Sequence, residues 1–268
     1  MPDTEPDGLK WQTEVWKRMS SLYADEWDER FAPIVRAIID RGKLAHGDSV
    51  LDLGSGTGSV AMRALDAVGP RGSVVGVDLS EEMVAVARER VADRGLDNLT
   101  FRQGRGESIP ASDQSFDVVL SSLTLMYVID RAAAAKEIAR VLRPGGRLIA
   151  AVWAGPGECD IVRFQQAAGS FGDSPPVPGV GPGALADPTP LIKQLADAGI
   201  GASFESEVFE FEFSDFRSAW DAMAGVTTSE LSADRQREAQ SAVLELMYED
   251  GDRARRFRNL THFISAQT

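Results

Sequence analysis

The chain has 268 residues, 43% of them hydrophobic, a formal net charge of −13 and a single cysteine. That length and apolar share support a sizeable core in one compact unit, or in a domain carrying a small lid, while the negative charge argues against a polyphosphate partner such as nucleic acid. The lone Cys159 excludes an internal disulfide or a cysteine metal cluster, and with His46 and His262 as the only histidines no metal site is expected.

No stretch approaches the roughly 20 apolar residues of a membrane span. The start, Met1-Pro2-Asp3-Thr4-Glu5-Pro6-Asp7, is acidic where a secretory leader is basic and then apolar. A soluble cytoplasmic protein is the expectation. The one basic run, Arg253 to Arg258, reads as the solvated end of a helix.

In chain order, residues 8–40 place Trp11, Trp16, Met19, Leu22, Tyr23, Trp27, Phe31, Ile34 and Ile38 at spacings of mostly three to five, a helical stripe. Pro33 predicts a break or the start of a second helix, with Phe31-Ala32 as the joint. Residues 1–43 are assigned as an N-terminal helical cap.

The stretch Val50-Leu51-Asp52-Leu53-Gly54-Ser55-Gly56-Thr57-Gly58 is an apolar strand running into a turn with glycine at every second position. Such glycines let the backbone turn sharply and approach a ligand, and a following helix aims its first amides at whatever occupies the turn. Asp52 lies inside the strand, where a carboxylate is costly without a partner; a partner carrying an amino group accounts for it. A second strand ends at Asp78, twenty residues after Gly58, placed to accept from both hydroxyls of a ribose. The dinucleotide fingerprint G-x-G-x-x-G does not fit, because its third glycine position is Ser59.

From there the pattern alternates: strand 49–54, helix 59–68, strand 73–78, helix 80–94, strand 99–103, strand 116–121, helix 131–142 and strand 146–153, which means right-handed crossovers and a parallel sheet. Ser80 is read as an N-cap, and Arg143-Pro144-Gly145-Gly146 as a helix stop and turn. Residues 155–190 are rich in proline and glycine and are read as a lid or substrate loop. A helix at 190–198, a strand at 203–213, helices at 215–224 and 230–249 and a strand at 257–266 follow, the helical insertion roofing the pocket. The fold class is α/β: a Rossmann-like seven-stranded, mostly parallel sheet with helices on both faces, N-terminal helices and a lid. The core is placed at 44–154, and 155–268 supplies the lid loop, the insertion and the last strands of the same sheet.

Four ordered stretches, Val50 to Gly58, Val77 to Met83, Gly104 to Val119 and Val141 to Leu148, resemble class I S-adenosylmethionine-dependent methyltransferases, in particular the small-molecule group that includes the ubiquinone/menaquinone-biosynthesis enzymes. The resemblance covers roughly Leu44 to Trp153 and, more weakly, a helix-strand unit from Pro188 to Phe213. It implies S-adenosyl-L-methionine as cofactor, with Asp52, Gly54, Ser55, Gly56 and Thr57 at its methionine end and the Ser121 or Ser122 carbonyl on its ammonium. Asp78 would grip the ribose, Leu79 and Met83 would flank the adenine, and the Gly106 region would read the adenine edge. Arg105 stands where the family has a short acceptor, and it has none to offer; Glu107 or a backbone carbonyl takes that role, or Arg105 points outward. Tyr23, Trp27 and Met126 are expected on the substrate or lid side.

The implied reaction is in-line methyl transfer to an oxygen or carbon nucleophile of a small metabolite, driven by alignment and water exclusion. Tyr127 and His262 are the candidate proton-handling residues. Other readings left open are a cyclisation or elimination on the same fold and a non-catalytic cofactor binder. The oligomeric state is open, a homodimer among the options.

Overall fold

A computed structural model of the chain describes residues 5–22, 27–172, 177–228, 231–249 and 251–268. Seven strands form one sheet: β1 (Ser49–Leu53), β2 (Ser73–Asp78), β3 (Leu99–Gln103), β4 (Phe116–Ser122), β5 (Leu142–Trp153), β6 (Gly201–Phe213) and β7 (Arg255–Gln267). Their order is β3-β2-β1-β4-β5-β7-β6. The first five run parallel, and β7 is antiparallel to both β5 and β6. The carboxyl ends of β1 and β4 lie side by side where the strand order reverses, the place where such sheets hold ligands.

The helices are α1 (Glu5–Leu22), α2 (Asp28–Gly42), α3 (Ser59–Val68), α4 (Glu81–Val91), α5 (Arg131–Val141), α6 (Asp160–Gly169), α7 (Thr189–Asp197), α8 (Phe216–Met223), α9 (Gly225–Thr228) and α10 (Ala233–Met247). Ser80 caps α4, its Oγ accepting from the Met83 amide at 3.3 Å, with Glu81 and Glu82 in the favourable first turn. The central strands are buried on both faces: Val50, Leu51, Val118, Val119, Leu120 and Leu148 are wholly inaccessible, as expected when helices cover both sides.

Four boundaries differ from the sequence reading. Pro33 lies inside α2, which starts at Asp28; so near the helix start its missing amide costs one intrahelical bond and the helix continues. Within 155–190, read as a loop, α6 forms at Asp160–Gly169, because Ile161, Val162, Phe164 and Ala168 make a buried apolar face. The 143–146 turn is embedded in β5: pairing with β4 jumps from Phe116↔Leu142 to Val118↔Arg147, and Gly145 takes φ 78°. The insertion of α8 and α10 packs against α6 and the antiparallel end of the sheet rather than over the glycine turn, with Phe164 ring-packed on Phe216, Trp220 and Phe257 at 6.4, 6.1 and 6.0 Å. The roof over the strand ends comes from α1 and α2.

Candidate active site

The turn after β1 is built from glycine conformations. Gly54, Gly56 and Gly58 take φ 76°, 50° and 91°, a region that side chains resist. A Cβ on Gly54 would stand 2.1 Å from Thr124 Oγ1, so the β1 and β4 ends can close on each other only with glycine there. A Cβ on Gly56 would meet nothing within 4 Å; this glycine faces open space, the cleft itself.

That cleft encloses about 1100 Å³ when the open solvent at its mouth is counted. Its floor is Gly54, Ser55, Gly56 and Thr57. Asp78, Leu79 and Met83 form one wall and Gly104, Arg105, Gly106 and Glu107 another, with Ser122, Leu123 and Thr124 completing the β4 side. Leu9, Gln12 and Trp16 of α1 and Asp28, Phe31 and Val35 of α2 cover it.

Asp78 is fixed in place: Oδ2 accepts from the Gly56 amide at 2.8 Å and Oδ1 from the Ser80 amide at 2.9 Å. Burial pushes its pKa above the ordinary value, and these two amides pull it partly back. Glu107 Oε1 accepts from the Ile129 and Asp130 amides at 3.1 and 3.2 Å. Asp28 ties the cap to the turn, accepting from Thr57 Oγ1 at 3.2 Å and from Ser59 Oγ while it pairs with Arg90, which also donates to the Thr57 carbonyl at 2.8 Å. Ser55 Oγ, on the cleft floor and 6% exposed, has no hydrogen-bond partner among the described residues.

Asp52 and Ser121 stand apart from this lining. Asp52 is fully buried behind the turn, and neither carboxyl oxygen meets a partner at hydrogen-bond geometry among the described residues. Burial drives its pKa up to about 8, with the Asp78 charge adding to the rise and the nearby Ala61 amide offsetting a part. The Ser121 hydroxyl donates to the Leu53 carbonyl at 3.0 Å inside the sheet; its neighbour Ser122 is the serine on the cleft.

A second, much narrower hollow adjoins the first and shares Trp16, Phe31, Leu123 and Tyr127 with it. Its other walls are Trp27, Met126 and Trp153, with Ile161 and Gln165 from α6. Tyr127 sits on a 3-10 turn, Leu125–Tyr127, with its ring edge-on to Trp16 at 4.9 Å and its carbonyl accepting from Gln12 Nε2 at 2.6 Å. Arg131 holds the turn by donating to the Leu125 and Met126 carbonyls, at 3.0 and 2.9 Å, and reaches the Gly179 carbonyl at 2.7 Å. Burial lowers its pKa from the ordinary arginine value. Leu123 takes φ 56°, a left-handed conformation costing about 1–2 kcal/mol, at the junction of the two cavities.

The structure therefore gathers Gly54, Ser55, Gly56, Thr57, Asp78, Leu79, Met83, Arg105, Gly106, Glu107 and Ser122 on one cleft, and Trp27, Met126 and Tyr127 on the adjoining chamber. His262 lines neither. Its Nδ1 is 2.7 Å from Ser206 Oγ and its Nε2 is 3.1 Å from the Ala186 carbonyl, on the β6 side of β7. Tyr23 lies outside the described residues. Gln12, Asp28 and Gln165 were not anticipated: two are polar positions in helical stripes read only for their apolar members, and Gln165 fell in a stretch read as loop.

Residues 44–156 match a family model described as a methyltransferase domain. A nocamycin O-methyltransferase of Saccharothrix syringae is 37% identical over 134 residues, 50% of this chain and 48% of that protein. The ubiquinone/menaquinone biosynthesis C-methyltransferase UbiE of Hahella chejuensis is 42% identical over 115 residues, 42% of this chain and 46% of that protein. The matches thus span just under half the length of these relatives. Among solved structures, the YcgJ protein of Bacillus subtilis superposes with a TM-score of 0.62 at 20% identity, covering 87% of this chain and 97% of that one, a likeness of fold. With the cleft above, these findings make residues 44–156 similar to class I S-adenosylmethionine-dependent methyltransferase domains, UbiE among them.

Proposed function

We propose that the protein transfers a methyl group from S-adenosyl-L-methionine to an oxygen or carbon nucleophile of a small molecule seated in the chamber beside the cofactor cleft. The observation that carries this reading is Asp78, clamped by two amides at the rim of a glycine-built floor and adjoined by a largely apolar chamber.

The cleft suits the cofactor on its own features. Gly56 leaves open space where a side chain would intrude, and Ser55 Oγ offers an unsatisfied polar atom. Gly54 to Thr57 and the Ser122 region would hold the methionine end, Asp78 the ribose, and Leu79 and Met83 the adenine, with Arg105, Gly106 and Glu107 at its edge. Both oxygens of Asp78 already accept amide bonds, so the ribose hydroxyls use its remaining lone pairs. When bound, the cofactor supplies an electrophilic sulfonium methyl. The chain's part is to orient the acceptor and exclude water, through the aromatic walls shared by the two cavities. Among the described residues lining the chamber, Tyr127 carries the only hydroxyl, in keeping with catalysis mainly by positioning.

Calorimetry with S-adenosylhomocysteine and NADH tests the cofactor half of the proposal: binding of the former alone supports it, and tight NADH binding without a response to S-adenosylhomocysteine ends it.

A further inference from the structure

The chamber beside the cofactor cleft has one feature that packing does not explain. Gln165 is only 6% exposed, its side chain lines the chamber, and its Oε1 has no hydrogen-bond partner among the described residues. On α6 it lies one turn after Ile161, on the same helix face. A leucine or methionine there would extend that apolar face without burying an orphan acceptor, an arrangement that costs stability. An acceptor retained at such cost in a cavity is satisfied by something that enters it.

The position is also held rigidly. The Ile161 amide donates to Asn259 Oδ1 at 2.9 Å, and Asp160 Oδ2 accepts from the Arg258 amide at 2.8 Å, which fasten the start of α6 to β7. Gln165 is therefore presented from a fixed element, as a recognition residue requires. Around it stand the rings of Trp16, Trp27, Phe31, Tyr127 and Trp153, and no described residue of the chamber carries a formal charge. Such walls favour a flat apolar body and leave a buried carboxylate or phosphate without a counter-charge.

Resting on the methyl-transfer reading above, we infer that Gln165 is the specificity-determining residue of the acceptor site, accepting a hydrogen bond from an O–H or N–H group on the edge of a small, flat, uncharged acceptor that enters the narrow hollow among the five aromatic rings from the adjoining cleft. The hydrogen bond fixes which edge of the acceptor turns toward the cofactor cleft. Molecules of the same shape that lack the donor leave Oε1 unpaired and bind less well.

The test uses the full chain saturated with S-adenosylhomocysteine and reads binding of three probes by ligand-observed fluorine NMR: para-fluorophenol, para-fluoroanisole, and the cationic para-fluoro-N,N,N-trimethylanilinium. The expected result is a preference of about tenfold or more for the phenol over the anisole in the wild type, the effect of one buried hydrogen bond. In Gln165→Leu the ratio falls to about one while S-adenosylhomocysteine affinity is unchanged; Gln165→Met gives the same readout should the leucine variant fold poorly. An unchanged ratio in the variants, tighter binding of the cation than of the phenol, or no binding of any probe to the wild type overturns the inference. Loss of S-adenosylhomocysteine binding by the wild type is a separate result, and it removes the methyl-transfer reading itself.

Discussion

The Asp78 carboxylate and the Gly56 amide, joined by a 2.8 Å hydrogen bond, lock the end of β2 to the glycine turn of β1. The same side chain shapes the floor of the cleft and, in the function proposed above, holds the ribose.

Asp78→Ala is therefore expected to act twice. Loss of hydrogen bonds to a charged acceptor should weaken S-adenosylhomocysteine binding by about 2–4 kcal/mol. Asp78→Asn keeps the shape but turns a donor toward either the Gly56 or the Ser80 amide, so it should lower the melting temperature of the ligand-free protein by a few degrees, roughly 1–2 kcal/mol. Calorimetry and thermal melting of both variants check this, and wild-type affinity in Asp78→Ala would place the ribose elsewhere.

The two glycines of the turn predict different failures. Gly54→Ala drives a methyl into Thr124, 2.1 Å from its Oγ1, and should compromise folding. At Gly56 the space is open, so Gly56→Ala should cost only about 1–2 kcal/mol of left-handed strain and still fold. Its methyl projects into the cleft, and cofactor affinity should drop about tenfold or more, as seen by calorimetry on the folded variant.

Much of this was legible beforehand, and the reasons differ by residue. The strand-turn-helix at 49–68 and the acid at position 78 follow from local rules, apolar runs, glycine spacing and a strand end, and the structure reproduces β2, β3 and α3 at the anticipated residues. What local rules miss is what distant segments bring. Gln12 and Asp28 reach the site only because α1 and α2 fold over the strand ends, and α6 was hidden by the prolines and glycines on either side of it. Asp52 and the Ser121 or Ser122 carbonyl were assigned to the cofactor from their motifs; the Asp52 side chain lies buried behind the turn and the Ser121 hydroxyl bonds within the sheet, a choice of face that strand periodicity near a turn does not settle and that leaves the carbonyl assignment untouched.

Asp52 makes a pH prediction. Its folded pKa, about 8, lies above its ordinary value of 3.8, so the folded state holds a proton that the unfolded chain has released. Stability is then greatest below pH 4 as far as this group is concerned, and falls as pH rises from 4 to 8. Asp52→Asn removes that dependence and should be more stable than wild type by an amount growing toward pH 8, on the order of 5 kcal/mol at most. Denaturant unfolding at pH 5 and pH 8 measures it; an equal effect of the substitution at both would mean that Asp52 ionises normally.

His262 and Tyr127 are expected to differ in kind. Because His262 joins Ser206 to the Ala186 carbonyl away from both cavities, His262→Ala should cost about 1 kcal/mol of stability per lost bond and leave turnover within a few-fold of wild type. Tyr127→Phe should lower turnover by less than about 100-fold, the low end of general-base effects. Steady-state kinetics on the methylated product decide the matter, a loss near 10⁴ in either variant indicating a dedicated base.

The central claim is methyl transfer to an oxygen or carbon of a small uncharged acceptor, and its most direct measurement is incubation of the protein with methyl-labelled S-adenosylmethionine and a panel of small hydroxylated aromatic and enolic acceptors, followed by mass analysis. The account predicts that an uncharged acceptor gains one labelled methyl in place of a proton, with S-adenosylhomocysteine formed in equal amount. Binding of the cofactor with no labelled product from any acceptor, or product formed without gain of a methyl, would contradict it.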